Sequence, residues 1–138
     1  MNIVRRVTLS AAGFVMICFF LPWLQVSCLT LRDSASGFEL ARRDNQVLWL
    51  VPLFMLLILL TGLVRSIWEQ RPAIFALISI VGGGLAAYLM HREHISNGQL
   101  PGIVTAQMTV WFWLGQLASL VIAVTALLFY AIRSNRPP

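Results

Sequence analysis

The stretch 47-VLWLVPLFMLLILLTGLV-64 contains no charged residue and is apolar over nearly its whole length. A helix rises about 1.5 Å per residue, so roughly 17 to 25 consecutive apolar residues cross the hydrocarbon core of a bilayer. A strand of a membrane barrel would instead alternate polar and apolar residues. The stretch therefore predicts a transmembrane helix.

Three further stretches share this character, and they cover residues 7–28, 73–90 and 110–132. None of them contains Asp, Glu, Lys, Arg or His. The chain of 138 residues is 59% hydrophobic and 11% charged, whereas a soluble domain carries about 25% charged residues. This composition excludes a soluble enzyme domain. We expect an all-α membrane protein, a bundle of four transmembrane helices that forms a single domain over residues 1–138.

Arginine placement predicts how the bundle is oriented in the membrane. All ten basic residues are Arg, and the formal net charge is +5. Four of them lie in the loops 29–46 and 91–109: Arg32, Arg42, Arg43 and Arg92. The other six lie at the opposite ends of the spans: Arg5, Arg6, Arg65, Arg71, Arg133 and Arg136. Because Arg-rich short loops stay in the cytoplasm, we expect both termini to be cytoplasmic and the two loops to lie outside, where they can fold together.

The acidic residues sharpen this asymmetry in net charge. Glu69 lies on the inner side, and the other four cancel the outer arginines: Asp33, Glu39, Asp44 and Glu93. The whole formal excess of +5 thus falls on the cytoplasmic face. Such a face matches the anionic headgroups of the inner leaflet. It predicts membrane lipids, and no nucleic acid, as the partner of the basic charge.

The first outer loop contains a helix-start signal. Ser36-Gly37-Phe38-Glu39 fits a capping box, in which the Ser hydroxyl accepts from the Glu amide and the Glu carboxylate reaches back. A short interfacial helix is expected to follow, ending in two arginines. It is either a docking element for another protein or a plain connection between two spans. The docking residues would be Phe38, Leu40, Arg42 and Arg43.

Pro22 interrupts the first span near its outer end. Proline lacks the N–H that a helix interior needs, and it disfavours helical geometry at the preceding residue. The span therefore either kinks at Pro22 and continues to Cys28, or leaves the membrane as extended chain over 24–31. Four tryptophans at the outer boundary predict an aromatic belt at headgroup level: Trp23, Trp49, Trp111 and Trp113.

The residues around Pro22 also carry a resemblance. Phe20-Leu21-Pro22-Trp23, then Ser27-Cys28, then Gly37 with Leu40-Ala41 resembles a pattern in small bacterial four-span inner-membrane proteins of uncharacterised function. The resemblance covers residues 20–41. It implies a bacterial inner membrane, and it brings no activity and no site residues to this chain.

Small residues in the third and fourth spans predict close helix packing. Within lipid, Gly, Ala and Ser let helix backbones approach each other. Gly82, Gly83, Gly84 and Ala87 would face Gly115, Gln116 and Ser119 across a seam, and the Gln side chain would add an interhelical hydrogen bond. The competing interpretation is a hinge, or a recess for a lipid, quinone or pigment tail.

Two histidines follow the third span. His91 and His94 are three residues apart, which places them on one face if the helix continues that far. Two imidazoles supply only half of a tetrahedral zinc shell, so we expect no metal site and no cofactor. A solvated helix end is the simpler interpretation. A cofactor-binding role would need ligands from a neighbouring subunit.

The functional expectation follows from what the spans lack. With no ionisable residue at membrane depth, the sequence argues against an ion-coupled transporter, and it contains no nucleotide-binding loop or nucleophile triad. We expect a non-catalytic accessory or assembly subunit of a larger bacterial inner-membrane complex, with a respiratory or photosynthetic complex as the host considered. Its partners would be other integral membrane subunits, and we favour a hetero-oligomer over a homo-oligomer.

Two alternatives stay open. One is a small self-associating channel or carrier, with Gln116 and Thr125 facing a shared pore. The other is a subunit that helps hold a pigment, haem or quinone. The directions in which Gln116, Ser119 and Thr125 point would discriminate the pore from the accessory role.

Overall fold

The computed structural model describes residues 2–28, 31–43, 45–64, 69–97 and 104–135. Within these ranges, four helices are long and apolar enough to cross a membrane, which confirms the helical spans expected from the sequence. They are α1 (Asn2–Phe20), α3 (Leu50–Leu63), α4 (Pro72–Asn97) and α5 (Val110–Ser134), and a 3₁₀ turn (Gln46–Trp49) extends α3 at its start. A short helix, α2 (Gly37–Arg43), precedes that turn.

The four long helices pack as neighbours around a square. α1 packs against α3 and α5, and α4 packs against the same two helices, so α1 and α4 lie on a diagonal. Large apolar side chains from every helix fill the centre, and within lipid they hold the bundle by close packing rather than by exclusion of water. The fully buried ones include Val15, Phe19, Met55, Ile58, Phe75, Met90, Phe112 and Ile122.

The end of the bundle where α1 begins and α3 ends is closed by one polar contact and one glycine. The Arg5 Nε–H donates to the Gly62 carbonyl oxygen at 2.8 Å. A Cβ on Gly62 would lie 2.5 Å from Leu9 Cδ2 and 3.0 Å from Phe75 Cε2. A larger residue at this position would force the Leu9 side chain, and to a lesser extent Phe75, to shift.

A small sheet occupies the other end of the bundle, which we call the sheet end. Its strands are β1 (Pro22–Cys28), β2 (Leu31–Ser36) and β3 (Val104–Met108), in the order β2-β1-β3 with both pairs antiparallel. β1 comes from the predicted end of the first span, β2 from the first predicted outer loop and β3 from the second. The two loops therefore fold together, as the sequence suggested, but they do so through a sheet that an all-α fold does not include.

Two predicted boundaries are corrected by the structure. The first span was placed at 7–28, but α1 ends at Phe20 and residues 22–28 form β1, because Pro22 cannot donate to the helix and its own backbone pairs in the sheet instead. The third span was placed at 73–90, but α4 continues to Asn97. The helix therefore includes the first part of the predicted loop 91–109.

Trp23 was expected in an interfacial belt, but it is completely buried. Its Nε1–H donates at 2.6 Å to the Cys18 carbonyl oxygen, near the end of α1, which also accepts from the Leu21 N–H at 3.2 Å. The side chains of Trp49, Trp111 and Trp113 are 42 to 45% exposed, as a belt requires. Trp23 instead belongs to the core beneath the sheet.

We predict that Gly37→Ala lowers the thermal stability of the detergent-solubilised protein. A Cβ there would lie 2.8 Å from Trp23 Cζ2 and 2.9 Å from the Phe19 carbonyl oxygen, and overpacking of this kind costs about 1–3 kcal/mol. Gly13→Ala is the matched control, because nothing lies within 4 Å of its Cβ position. Thermal unfolding followed by circular dichroism measures both. Equal melting temperatures for the two variants would contradict the packing described here.

Candidate functional site

The capping box predicted in the first loop is present at the start of α2. The Ser36 N–H donates to Glu39 Oε2 at 2.9 Å, and the Glu39 N–H donates to Ser36 Oγ at 3.2 Å. This reciprocal pair fixes where α2 begins. It also fixes the point at which the chain passes from β2 into α2.

The structure divides the four predicted docking residues into two kinds. The Phe38 ring is half-buried, with its centroid 5.8 Å from that of Phe20 and 5.5 Å from that of Trp49, and Leu40 is buried in the chain's own core. Arg42 and Arg43 are exposed. The apolar side of α2 therefore packs internally, and its basic end is the part that a partner could reach.

A groove of about 250 Å³ runs between the sheet and α2. Its lining is amphipathic. It combines apolar residues of both elements with two carboxylates and one guanidinium: Leu24, Val26, Ala35, Leu40, Asp33, Glu39 and Arg43, together with Ser34. Arg43 thus lies both at the exposed end of α2 and in the groove, so the two features form one surface. We call it the α2 surface.

Asn45 ties the first loop to the end of α4. Its N–H donates to the Leu40 carbonyl oxygen at 3.1 Å, and its Oδ1 accepts from the Val47 N–H at 3.3 Å. Its Nδ2 donates to Glu93 Oε1 at 2.6 Å. Glu93 is only 8% exposed, so a buried carboxylate is hydrogen-bonded across 48 positions of sequence. Sequence reasoning missed this contact, because nothing local marks Glu93 as buried.

The solvated helix end expected around the histidines is therefore only partly correct. His91 and Arg92 are exposed, but the next residue, Glu93, is buried. His94 is half-buried, with its ring centroid 5.2 Å from that of Trp113. Its Nδ1 is buried and has no hydrogen-bond partner among the described residues. His91 and His94 thus lie in different surroundings.

The histidines are not part of a cluster of metal-ligating side chains among the described residues. Within the described part of the chain, no group of three or more His, Cys, Asp or Glu side chains is arranged to hold a metal ion. A cofactor-binding role for His91 and His94 stays a prediction.

The three consecutive glycines of α4, Gly82 to Gly84, have different surroundings. A Cβ on Gly83 would lie 2.8 Å from the Ser119 carbonyl oxygen and 3.0 Å from the Ala123 nitrogen, so this residue brings α4 against the backbone of α5. A Cβ on Gly82 would instead meet Ile58 and Phe54 of α3, and one on Gly84 would meet nothing within 4 Å. The predicted seam therefore depends on Gly83 within the triplet.

Other predicted seam residues lie on the same two helices. Ala87 is 8% exposed and Ser119 is fully buried, with its Oγ–H donating to the Gly115 carbonyl oxygen at 2.9 Å. A Cβ on Gly115 would lie 3.0 Å from Met90 Cε and 3.3 Å from Cys18 Cβ. Gly115 thus makes room for side chains of α4 and α1 at once.

The polar groups of α5 turn mainly to their own helix. The Thr125 Oγ1–H lies 2.7 Å from the Val121 carbonyl oxygen and 3.1 Å from that of Ile122. Gln116 Oε1 is buried and has no partner among the described residues. The hydroxyls of Thr8 and Ser79, buried in α1 and α4, are likewise without a described partner. Within lipid such groups are expensive to leave unpaired, and sequence reasoning did not single out Thr8.

We predict that Gly83→Ala lowers the melting temperature and that Gly84→Ala does not. The added methyl at 83 would press on the backbone of α5, at a cost of about 1–3 kcal/mol. The methyl at 84 meets open space, where Ala favours a helix by about 1 kcal/mol over Gly. Thermal unfolding of the two variants side by side checks this. A stable Gly83→Ala protein would show that the seam is not close-packed.

The structure brings together two groups of the predicted residues. Gly83, Gly115 and Ser119 meet where α4 packs on α5, and Arg42 and Arg43 share the exposed end of α2. The first group is packing, and the second is accessible surface. Comparison of the chain with protein-family models, with curated proteins and with solved structures gives no match.

Proposed function

We propose that this protein is a non-catalytic accessory or assembly subunit of a larger bacterial inner-membrane complex, with its termini in the cytoplasm. The observation that carries the proposal is the α2 surface. It combines an exposed basic helix end with an amphipathic groove, on a cap built from both loops. A cap of this kind offers a partner a formed surface at the end of the bundle.

The interior of the bundle supports a structural role. Among the described residues, the buried core is apolar apart from Thr8, Ser79, Glu93 and Ser119. Glu93 lies near the end of α4, where Asn45 binds it. Small residues close the α4–α5 seam by backbone contact. This is the packing of a scaffold, and it leaves contacts with other subunits to the outer helix faces and the α2 surface.

The channel alternative has less support. Ser119 and Thr125 donate to carbonyls of their own helix, so their hydroxyl protons are already used and only their acceptor lone pairs are left for a pore. Gln116 Oε1, buried without a described partner, is the feature that still favours it. The pigment, haem or quinone alternative depends on His94, whose Nδ1 is also without a described partner.

We predict that the tagged protein, purified in mild detergent, retains another membrane protein in fixed ratio. Arg43→Glu reverses a charge in the α2 surface and should reduce the retained partner at least tenfold. Arg133→Glu is the matched control, because it also lies exposed in the last turn of a helix but at the other end of the bundle. Quantitative mass spectrometry of the eluates measures the ratio.

Other outcomes of the purification would exclude the accessory role. Recovery of this chain alone, in a uniform oligomer, would contradict it and favour the channel. Visible absorption in the preparation would favour the cofactor-holding alternative. Equal loss of partner in both Arg variants would contradict the role given to the α2 surface.

The orientation is predicted from the same charges that define the ends of the bundle. Arg5, Arg6, Arg71 and Arg133 lie at the end opposite the sheet, while Arg65, Asp44 and Arg136 lie outside the described residues. By the positive-inside rule, the sheet end faces outward.

A fluorescent protein fused after residue 138 should therefore fluoresce, and alkaline phosphatase fused there should be inactive. An active phosphatase would contradict this orientation.

A further inference from the structure

We propose that the sheet accepts one additional strand, an extended segment of a partner polypeptide, and that it does so beside β3 and not beside β2. The inference rests on the proposed function, because it names how a partner binds the cap. It follows from the direction in which each strand presents its backbone. In an antiparallel sheet, successive residues direct their N–H and C=O groups alternately to the two neighbouring strands.

Backbone hydrogen bonds establish that alternation in β1. The Thr109 N–H donates to the Trp23 carbonyl oxygen at 2.8 Å, so Trp23 faces the β3 side. Gln25 then faces the same side, and Val26 faces β2. Gln25 pairs with Gln107, and Val26 pairs with Asp33.

The same alternation assigns the outer edges. Because Gln107 faces β1, residues 106 and 108 direct their backbone groups away from the sheet. Because Asp33 faces β1, Arg32, Ser34 and Ser36 direct theirs outward from β2. Two side-chain hydrogen bonds agree with this assignment, since the N–H groups of Ser34 and Ser36 do not donate to β1.

Two of the outward N–H groups of β2 already donate to side chains, and the third belongs to a charged residue, Arg32. The Ser34 N–H donates to Asp33 Oδ1 at 2.9 Å, and the Ser36 N–H donates to Glu39 Oε2 at 2.9 Å. A carboxylate is a stronger acceptor than a peptide carbonyl. An incoming strand would have to displace two charged acceptors beside a charged side chain, so β2 is the less favourable edge for strand addition.

The outer edge of β3 has none of this protection. The strand reads Val-Thr-Ala-Gln-Met, with neither charge nor proline, and such edges readily pair with another extended chain. Among the described residues, hydrogen bonds to its backbone come from β1. The outward N–H groups of residues 106 and 108 are therefore the donors that a partner strand would use.

The neighbouring side chains indicate what the added strand should contain. On one face of the sheet, Gln107 lies in the same row as Gln25 and Ser34, and all three are exposed. In the next row Met108, half-buried, lies beside Leu24, which is 5% exposed. A matching segment alternates polar and apolar residues, as strands bound at a sheet edge do.

The test uses two positions that differ only in the edge they occupy. Gln107 and Ser34 share a row and a face, and both are exposed. A photo-crosslinking residue, p-benzoylphenylalanine, replaces either one in the full-length protein in intact membranes. We expect at least tenfold more partner adduct from position 107 than from position 34. Equal yields, or adduct from position 34 alone, would overturn the inference.

The remaining outcomes separate this inference from the proposed function. If a partner copurifies but position 107 gives no adduct, strand addition at β3 is wrong and the accessory role stands. If neither a partner nor an adduct is found, both fail. An adduct of twice the mass of the chain would show that the occupant is a second copy, which overturns the choice of partner.

Two backbone-directed variants strengthen the test. Ala106→Pro removes an outward N–H and leaves the pairs with β1 intact, as proline does on an edge, so the adduct at 107 should fall at least tenfold. The melting temperature reports whether this variant folds.

Asp33→Ala frees the Ser34 N–H and should raise the adduct yield at position 34 severalfold. An unchanged yield there would contradict the protection of β2 by carboxylates, whatever the proline variant does.

Discussion

The structure depends on how the chain leaves α1 and enters the sheet, and Trp23 makes that transition. Its indole N–H caps the Cys18 carbonyl oxygen behind it, and its own carbonyl oxygen accepts from the Thr109 N–H ahead of it. The ring packs edge-on against Phe19 at 5.6 Å and Phe112 at 5.7 Å. One residue therefore joins the end of α1, the sheet and the start of α5. At a membrane boundary this matters, because each backbone group left unpaired near lipid costs free energy.

Much of the fold could be predicted from the sequence, because the signals for it are local. Uncharged apolar stretches predict membrane helices by length alone, and α3, α4 and α5 follow them. The capping box at Ser36 needs four consecutive residues, and it is present. The role of Gly83 followed from its small size, although the sequence could not distinguish it from its neighbour Gly84.

The rest depends on contacts between distant parts of the chain. β1 is so apolar that its sequence predicts the end of a transmembrane helix. Its partner strand β3 lies about eighty positions further along the chain. The burial of Glu93 depends on Asn45, which belongs to a different loop. Trp23 has the position of an interfacial residue, and its burial depends on Gly37 and Phe112, which lie far from it in sequence. Local sequence patterns do not encode contacts between distant segments, so the sheet end was the least predictable part of the molecule.

The position of β3 has a consequence for the order in which the molecule is made. A chain synthesised from its N-terminus completes β1 and β2 early, whereas β3 emerges after α4, with α5 still to follow. Throughout that interval, the side of β1 that will receive β3 has backbone groups without their final partner. The growing protein thus passes through a stage with an unfinished sheet beside inserted helices. Closure of the sheet by β3 is therefore a late event, and it requires two segments far apart in sequence to lie at the same end of the bundle.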